Sequence, residues 1–306
     1  MIKEINNGVY PTMLTPFTAD NRIDYNAVEQ LLEFYVSRGV KGIFAICQSS
    51  EIFFLSFEER LELLKFIMDH KPEGISIVAS GHTADDIDRQ IYEAKAFVDT
   101  GIDAYVYIAN RFAAEGESDD VFLRNFEKVS SALPEIGLGI YECPYPYKRL
   151  MAPETLAECC RLGNLQFIKD TCSHIDDIKA KIEATKGTGL KLFNANGATL
   201  LESLRAGASG YSGVMANFHP EIFAWLCENS DKEPEKAGYV ADFLSFASTV
   251  ESRMYPVNAK YHLSLLGVDI LTKSRVCDDS AFSESNHKEM QAMINVEKYI
   301  NVTYCT

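Results

Sequence analysis

Three stretches decide the fold: Ser37-Arg38-Gly39-Val40-Lys41-Gly42-Ile43, Asp99-Thr100-Gly101-Ile102-Asp103-Ala104-Tyr105 and Arg205-Ala206-Gly207-Ala208-Ser209-Gly210-Tyr211. Each joins the end of a helical pattern to a strand-like run, and each carries glycine at the joint. Glycine adopts the left-handed conformation that ends a helix without steric cost. Three copies of one joint in a regular strand–helix alternation predict repeated βα units.

Outward from these joints the alternation continues along the chain. Val9 to Leu14 is a short apolar run. Asp24 is placed to cap a helix with Tyr25, Val28, Leu31, Leu32, Tyr35 and Val36 on one face, which Gly39 ends. Gly42 to Cys47 reads as a second, buried strand. Ser56-Phe57-Glu58-Glu59 is a capping box ahead of Leu61, Leu64 and Ile67. Ile75 to Ala79 is a third strand, and Thr83 is expected to open the helix bearing Ile87, Ile91, Ala94 and Val98. Ala104 to Ala109 and Leu138 to Cys143 are the fourth and fifth strands, with a helix over 118–131 between them. Pro153 suits the first turn of the next helix. Phe167 to Thr171 is the sixth strand, and Ser173 is expected to cap a helix with Ile175, Ile178 and Ile182. Leu190 to Ala195 is the seventh, with a helix over 197–206, and Tyr211 to Val214 is a weak eighth.

Eight units of this kind close a (β/α)8 TIM barrel in about 200–250 residues. The expected organisation is a barrel over 1–230 and a C-terminal helical extension over 231–306, where Val240 to Phe246, Pro256 to Leu266 and Lys288 to Ile300 read as helices. A doubly wound open sheet is the other architecture with this alternation. No G-x-G-x-x-G follows the first strand to support it.

The chain has 306 residues, 47% hydrophobic and 24% charged, as expected of a globular protein with a sizeable core. Its formal net charge of −15 disfavours nucleic acid and anionic membranes as partners. None of the eight cysteines forms a C-x-x-C pair, so neither a zinc site nor a redox motif is expected. Free thiols suit a reducing compartment, and the N-terminus shows no signal-peptide pattern, so the expected location is the cytoplasm.

The chemistry is sought at the carboxyl ends of the strands, where barrels of this kind place it. The sixth strand carries Lys169 inside an apolar run. A buried ammonium loses its hydration, which lowers its pKa and makes a neutral amine able to attack a carbonyl. The same residue also fits a strand-end lysine whose charge reaches water. On the fifth strand Gly137, Gly139 and Tyr141 share one face, with Leu138 and Ile140 on the other. Two glycines facing the axis would leave room for a tyrosine and a substrate. Tyr141 fits either a proton-shuttling phenol beside Lys169 or an amphipathic core tyrosine. Gln48-Ser49-Ser50 after the second strand offers hydroxyls and turn amides for a carboxylate, although such turns are common. Lys191 should face the opposite end. His82 and His174 are expected as helix caps or loop residues rather than at the mouth. Arg111 could clamp a carboxylate or point outward from its loop.

These positions together resemble the dihydrodipicolinate synthase / N-acetylneuraminate lyase family, the pyruvate-dependent class I aldolases. The resemblance runs from Val9-Tyr10-Pro11-Thr12-Met13-Leu14-Thr15-Pro16-Phe17 to the C-terminal helices. It implies a (β/α)8 barrel with a helical extension, usually a homotetramer, and no metal or organic cofactor. It implies that Lys169 in Ile168-Lys169-Asp170 is the Schiff-base lysine. Tyr141 in Tyr141-Glu142-Cys143-Pro144 matches the proton-relay tyrosine, and Ser49 and Ser50 match the segment that holds the pyruvate carboxylate. Glu51 keeps the acidic end of that segment.

Three marks of the lysine-biosynthesis members are missing or displaced: a threonine where Gln48 stands, a tyrosine near Arg111, and an arginine where Pro146 stands. Thr171 matches the threonine of sialic acid lyases. Their Asp-Glu pair falls on Asn196-Gly197, and Ser212 matches a serine near the end of the eighth strand. The implied activity is therefore that of a lyase that cleaves or forms a carbon–carbon bond next to pyruvate, on a 2-keto-3-deoxy sugar acid or sialic-acid-like compound. A dihydrodipicolinate synthase with a divergent relay and a non-catalytic 2-keto acid binding barrel are the alternatives. Candidate site residues are Lys169 and Tyr141 for catalysis, with Gln48, Ser49, Ser50, Thr171, Asn196, Ser212 and Arg111 for binding.

Overall fold

Tyr141 pairs with Lys169 across two parallel strands, and parallel pairing continues around a ring of eight. The computed structural model describes residues 2–305. The strands are β1 (Gly8–Val9), β2 (Gly42–Phe44), β3 (Ser76–Ala79), β4 (Ala104–Ile108), β5 (Gly137–Tyr141), β6 (Leu165–Asp170), β7 (Lys191–Asn194) and β8 (Gly210–Tyr211). Every neighbouring pair is parallel, and β8 returns to pair with β1. A parallel bridge between Thr12 and Phe44 closes the remaining seam, supported by hydrogen bonds from Phe44 N to Pro11 O and from Met13 N to Phe44 O, each 3.0 Å. The fold is a TIM barrel with C-terminal helices.

Helices α1 (Tyr25–Val36), α2 (Phe57–His70), α3 (Ile87–Val98), α4 (Asp119–Ala132), α5 (Pro153–Leu162), α6 (Ile175–Ala184), α7 (Leu200–Arg205) and α8 (Pro220–Asn229) form the outer layer. Asp24 caps α1 by accepting from Ala27 N at 3.2 Å, and Ser56 and Glu59 make the reciprocal box at the start of α2. The joint glycines Gly39, Gly101 and Gly207 all have positive φ, at 80°, 88° and 105°. After α8 come α9 (Pro234–Ala247), α10 (Val257–Leu265) and α11 (Glu284–Tyr304).

Two helix starts differ from expectation. Asp86, not Thr83, caps α3, because its carboxylate accepts from Arg89 N at 2.8 Å while the Thr83 hydroxyl accepts from Arg60 at 3.0 Å. His174 stands at the cap of α6, because Ser173 has φ +61° and turns its hydroxyl to the Asn196 amide. The eighth strand is also shorter and earlier than Tyr211 to Val214. It ends at Tyr211, and Val214–Asn217 coils into a 3-10 turn.

The alternation of β5 sorts its residues as expected. Leu138 and Ile140 pack in the layer between barrel and helices, whereas Tyr141 joins an inner cluster with Tyr10, Phe44, Val106, Phe167 and Phe193. The space at Gly139 is not left for a substrate, however. A Cβ there would sit 2.9 Å from Val106 and 3.2 Å from Phe167, so those side chains fill it. Tyr10, Phe167 and Phe193 pack with ring centroids 4.6–5.8 Å apart and form a dry aromatic floor.

Candidate active site

Lys169 rises from this floor. It lies on the inward face of β6 and is only 4% exposed. Its Nζ is 4.5 Å from the Tyr141 ring centroid and 5.9 Å from that of Phe44. Desolvation lowers its pKa from the ordinary lysine value, opposed by the weaker attraction of nearby acidic groups. The amine is thus closer to its nucleophilic neutral form than an exposed lysine is.

The Tyr141 hydroxyl donates to the side-chain carbonyl of Gln48 at 3.1 Å. Burial raises its pKa well above that of a free phenol, so it stays protonated and serves as a donor. The Cys143 thiol also points at the Gln48 carbonyl, at 3.6 Å. Gln48, Tyr141, Lys169, Thr171 and Asn196 all line one cavity of about 280 Å³ at the carboxyl ends of the strands. Lys148, Ser173, Gly213, Val214, Ser248 and Glu251 complete much of its wall.

The other expected binding residues are placed differently. Ser50 is fully buried, and its hydroxyl donates to Met13 O and Ala45 O. Its own amide bonds to Cys47 O, so the residue shapes the turn from within. Ser49 donates to Thr12 Oγ1 at 3.0 Å and lines a neighbouring, more apolar cavity with Phe53, Tyr145 and Tyr255. That second cavity of about 600 Å³ shares Gln48, Tyr141 and Val214 with the first. Ser212 is completely buried with its hydroxyl unpaired, one residue before the lining Gly213. Thr171 donates to the Glu142 carbonyl at 2.8 Å, which orients its hydroxyl at the rim. Arg111 does not line the cavity. It pairs with Asp85 and lies against the Phe53 ring.

His82 lies in the loop between β3 and α3, but that loop is not solvated at this residue. It is buried against Tyr105 and Tyr107 and accepts from Ile108 N at 3.3 Å. Burial, with help from Arg111 and Arg60, pushes its pKa down to about 3, so it is neutral. His174 is exposed at the cap of α6, and Lys191 pairs with Glu4 at 3.0 Å. Glu51, at φ +60°, accepts from Lys260, Ser274 and Arg275 N at 2.6–3.1 Å and so ties the second-strand turn to the C-terminal helices.

Two groups escaped the reading of the sequence. Lys181 on α6 is buried beside Glu142 and Asp170, 2.6 Å from each, and those two residues follow Tyr141 and Lys169 in the chain. Its place on the apolar face, three residues after Ile178, was the available signal. Glu251 lies in a 3-10 segment after α9 with no periodic pattern, and no local signal marks it.

A closed βα barrel with a desolvated lysine and a phenol at its carboxyl-terminal mouth has the architecture of a class I aldolase. Residues 6–295 match the model of the dihydrodipicolinate synthetase family, and the chain belongs to that family, whose members are lyases. A 4-hydroxy-tetrahydrodipicolinate synthase of Pseudoalteromonas atlantica is 25% identical over 293 residues, covering 94% of this chain and 97% of that protein. One from Corynebacterium diphtheriae is 26% identical, covering 87% and 88%. Among solved structures, a prophage protein of the same family from E. coli K12, in complex with pyruvate, superposes with a TM-score of 0.85 at 20% identity. The match covers 95% of this chain and 98% of that one. The dihydrodipicolinate synthase of Acinetobacter baumannii, also complexed with pyruvate, gives 0.85 at 20% identity, with 96% and 99% covered.

Proposed function

We propose that Lys169 forms a Schiff base with pyruvate, or with the ketone of a 2-keto acid, and that the protein makes or breaks the adjacent carbon–carbon bond. The observation that carries this reading is the Lys169 amine, desolvated and sharing one cavity with the Tyr141 hydroxyl. The amine attacks the ketone, and the phenol donates the proton with which the carbinolamine loses water. The iminium then draws electrons from the neighbouring C–C or C–H bond. Gln48 holds the phenol in place.

The substrate we propose is a 2-keto-3-deoxy sugar acid or a sialic-acid-like compound. Ser173, Asn196 and Ser248 bring neutral polar groups to the cavity wall, as hydroxyl recognition requires. The names of the relatives favour a second reading, 4-hydroxy-tetrahydrodipicolinate synthase. That reaction joins pyruvate to an aldehyde bearing its own carboxylate. Arg111 and Arg149 are held by Asp85 and Asp119, and no arginine among the described residues lines the cavity, which weighs against it. Assembly into a homotetramer or homodimer is part of the proposal.

Borohydride with pyruvate tests the Schiff base: a mass gain on Lys169 is expected, and an unmodified wild-type protein sinks the reading. A screen of 2-keto-3-deoxy acids for pyruvate release, run beside condensation with aspartate semialdehyde, decides between the two substrates.

A further inference from the structure

Tyr141 has a proton to give, but its hydrogen bond within the described chain leads to no side chain that relays it onward. Its hydroxyl donates to the carbonyl of Gln48, and an amide carbonyl accepts a hydrogen bond without passing a proton onward. A hydroxyl at residue 48 would accept and donate in turn. The neighbouring Cys143 thiol donates to the same carbonyl, and burial raises its pKa, so it adds no acceptor. Carbon–carbon chemistry beside an iminium still needs a group that takes a proton and returns it.

The cavity wall contains one carboxyl, that of Glu251, among the described residues. It comes from the 3-10 segment Ser248–Ser252, which follows α9 and is opposite the phenol in origin, since Tyr141 comes from β5. No hydrogen bond or ion pair within the described chain engages the Glu251 carboxyl, in contrast to the buried Glu51, Glu142 and Glu297. Its electrostatic partner is Lys169, with which it shares the cavity. A partly desolvated carboxyl with an open cavity before it and an amine as its neighbour is placed to act on whatever that amine holds.

We propose that Glu251 is the acid–base group of the bond-making step, taking the substrate proton when the Lys169 iminium collapses to the enamine and returning it in the reverse direction. This rests on the Schiff-base reading given above. In cleavage the carboxylate removes the proton of the hydroxyl at C4. The O–H pair becomes the carbonyl of the released aldehyde, the C3–C4 pair becomes the C2=C3 bond of the enamine, and the C=N pair returns to nitrogen. With pyruvate alone the same carboxylate removes a methyl proton from C3, and the C–H pair becomes the enamine bond. No oxidant or further reactant is involved.

The electrostatics suit this task. Desolvation raises the Glu251 pKa to about 7, with Lys169 opposing the rise. A base poised there can both accept and donate a proton near neutrality. The titratable and charged groups around it are Lys169 on β6, Lys148 after β5, and the phenols of Tyr141, Tyr211 and Tyr255; burial raises the pKa of each of the three phenols. Arg253, directly after that segment, turns to Glu289 on α11.

Exchange of the pyruvate methyl protons in D2O, followed by NMR, isolates this step without knowledge of the aldehyde, and borohydride trapping isolates imine formation. Wild-type protein should trap pyruvate and exchange its methyl protons, with a rate that rises with pH through neutrality as the carboxylate forms. Glu251→Gln should trap pyruvate to the wild-type extent while exchange falls at least about hundredfold and loses that rise. Glu251→Asp should recover part of the exchange. A smaller fall in Glu251→Gln, or a wild-type protein that traps but does not exchange, overturns the proposal. So does loss of trapping in both variants, which would mark a structural role. If wild type itself fails to trap, the Schiff-base reading fails first and this step with it.

Discussion

Lys181 donates to Glu142 at 2.6 Å behind the wall of the cavity, although one residue lies on α6 and the other at the end of β5. The same ammonium reaches Asp170 at 2.6 Å. Glu142 also accepts from Met151 N and Thr171 N, each at 2.8 Å. Burial alone would lower the Lys181 pKa, but the two carboxylates outweigh it and drive it up, so the lysine stays charged. Glu142 and Asp170 directly follow Tyr141 and Lys169. The network therefore fixes the register of the two side chains that line the cavity.

Replacing Lys181 by methionine leaves two carboxylates buried against each other. Breaking a buried pair of this kind costs about 3–5 kcal/mol, so Lys181→Met should lower the urea midpoint strongly. Pyruvate trapping in whatever folded protein remains should slow, because the β5 and β6 ends lose their common anchor. A midpoint within the error of wild type would contradict the network's role.

The amine and the phenol should separate in trapping experiments. Lys169→Arg should give no borohydride adduct, since a guanidinium does not form a stable imine. Tyr141→Phe should keep the adduct but form it about a hundredfold more slowly, in line with the loss of one proton-transfer group. In wild type the adduct rate should rise with pH and level off below the ordinary lysine pKa, because desolvation lowers that of Lys169. Rates followed by mass spectrometry between pH 6 and pH 10 test this, and an equal rate in Tyr141→Phe argues against the phenol.

Glu297 on α11 accepts from His219 at 2.9 Å and from His262 at 2.9 and 3.0 Å, and so clamps α8, α10 and α11 together. Burial would raise its pKa, but the hydrogen bonds and charge of the two histidines prevail and hold it at about 2. A depressed folded value adds stability above the unfolded pKa of roughly 4.3 and loses it as pH falls toward the folded one. Glu297→Gln should therefore cost about 3 kcal/mol at pH 7. Its deficit relative to wild type should shrink below about pH 4.3. Urea titrations at pH 7, 5 and 3.5 show whether the gap closes.

Gly210 seals the barrel. A Cβ there would lie 1.8 Å from the carbonyl oxygen of Gly8, at a φ of +155°. Gly210→Ala should force β8 away from β1 and cost several kcal/mol, beyond the roughly 1–3 kcal/mol of ordinary overpacking. Gly74→Ala, with open space around it, provides the contrast, since only its φ of +83° is strained. Thermal melts of the two variants should differ clearly, with Gly210→Ala the lower.

Much of this protein was legible along the chain. The βα period, the capping residues Asp24 and Ser56, the glycine joints and the two-residue alternation of β5 are local. Each depends on backbone conformation and on which face of one element is apolar. Lys169 was visible for the same reason: a charge inside a short apolar strand stands out without knowledge of its neighbours.

What the chain alone left open depends on groups brought together from distant elements. Gly139 looked like space for a substrate until Val106 and Phe167 arrived from β4 and β6 to fill it. Ser49 and Ser50 looked alike, but their hydroxyls take different partners, Thr12 for one and Met13 and Ala45 for the other. Glu251 lies 82 residues from Lys169 in a segment with no pattern of its own. Its carboxyl acquires meaning only when folding brings it to the same cavity as that amine, because desolvation and Coulomb interaction depend on distance in space and not along the sequence.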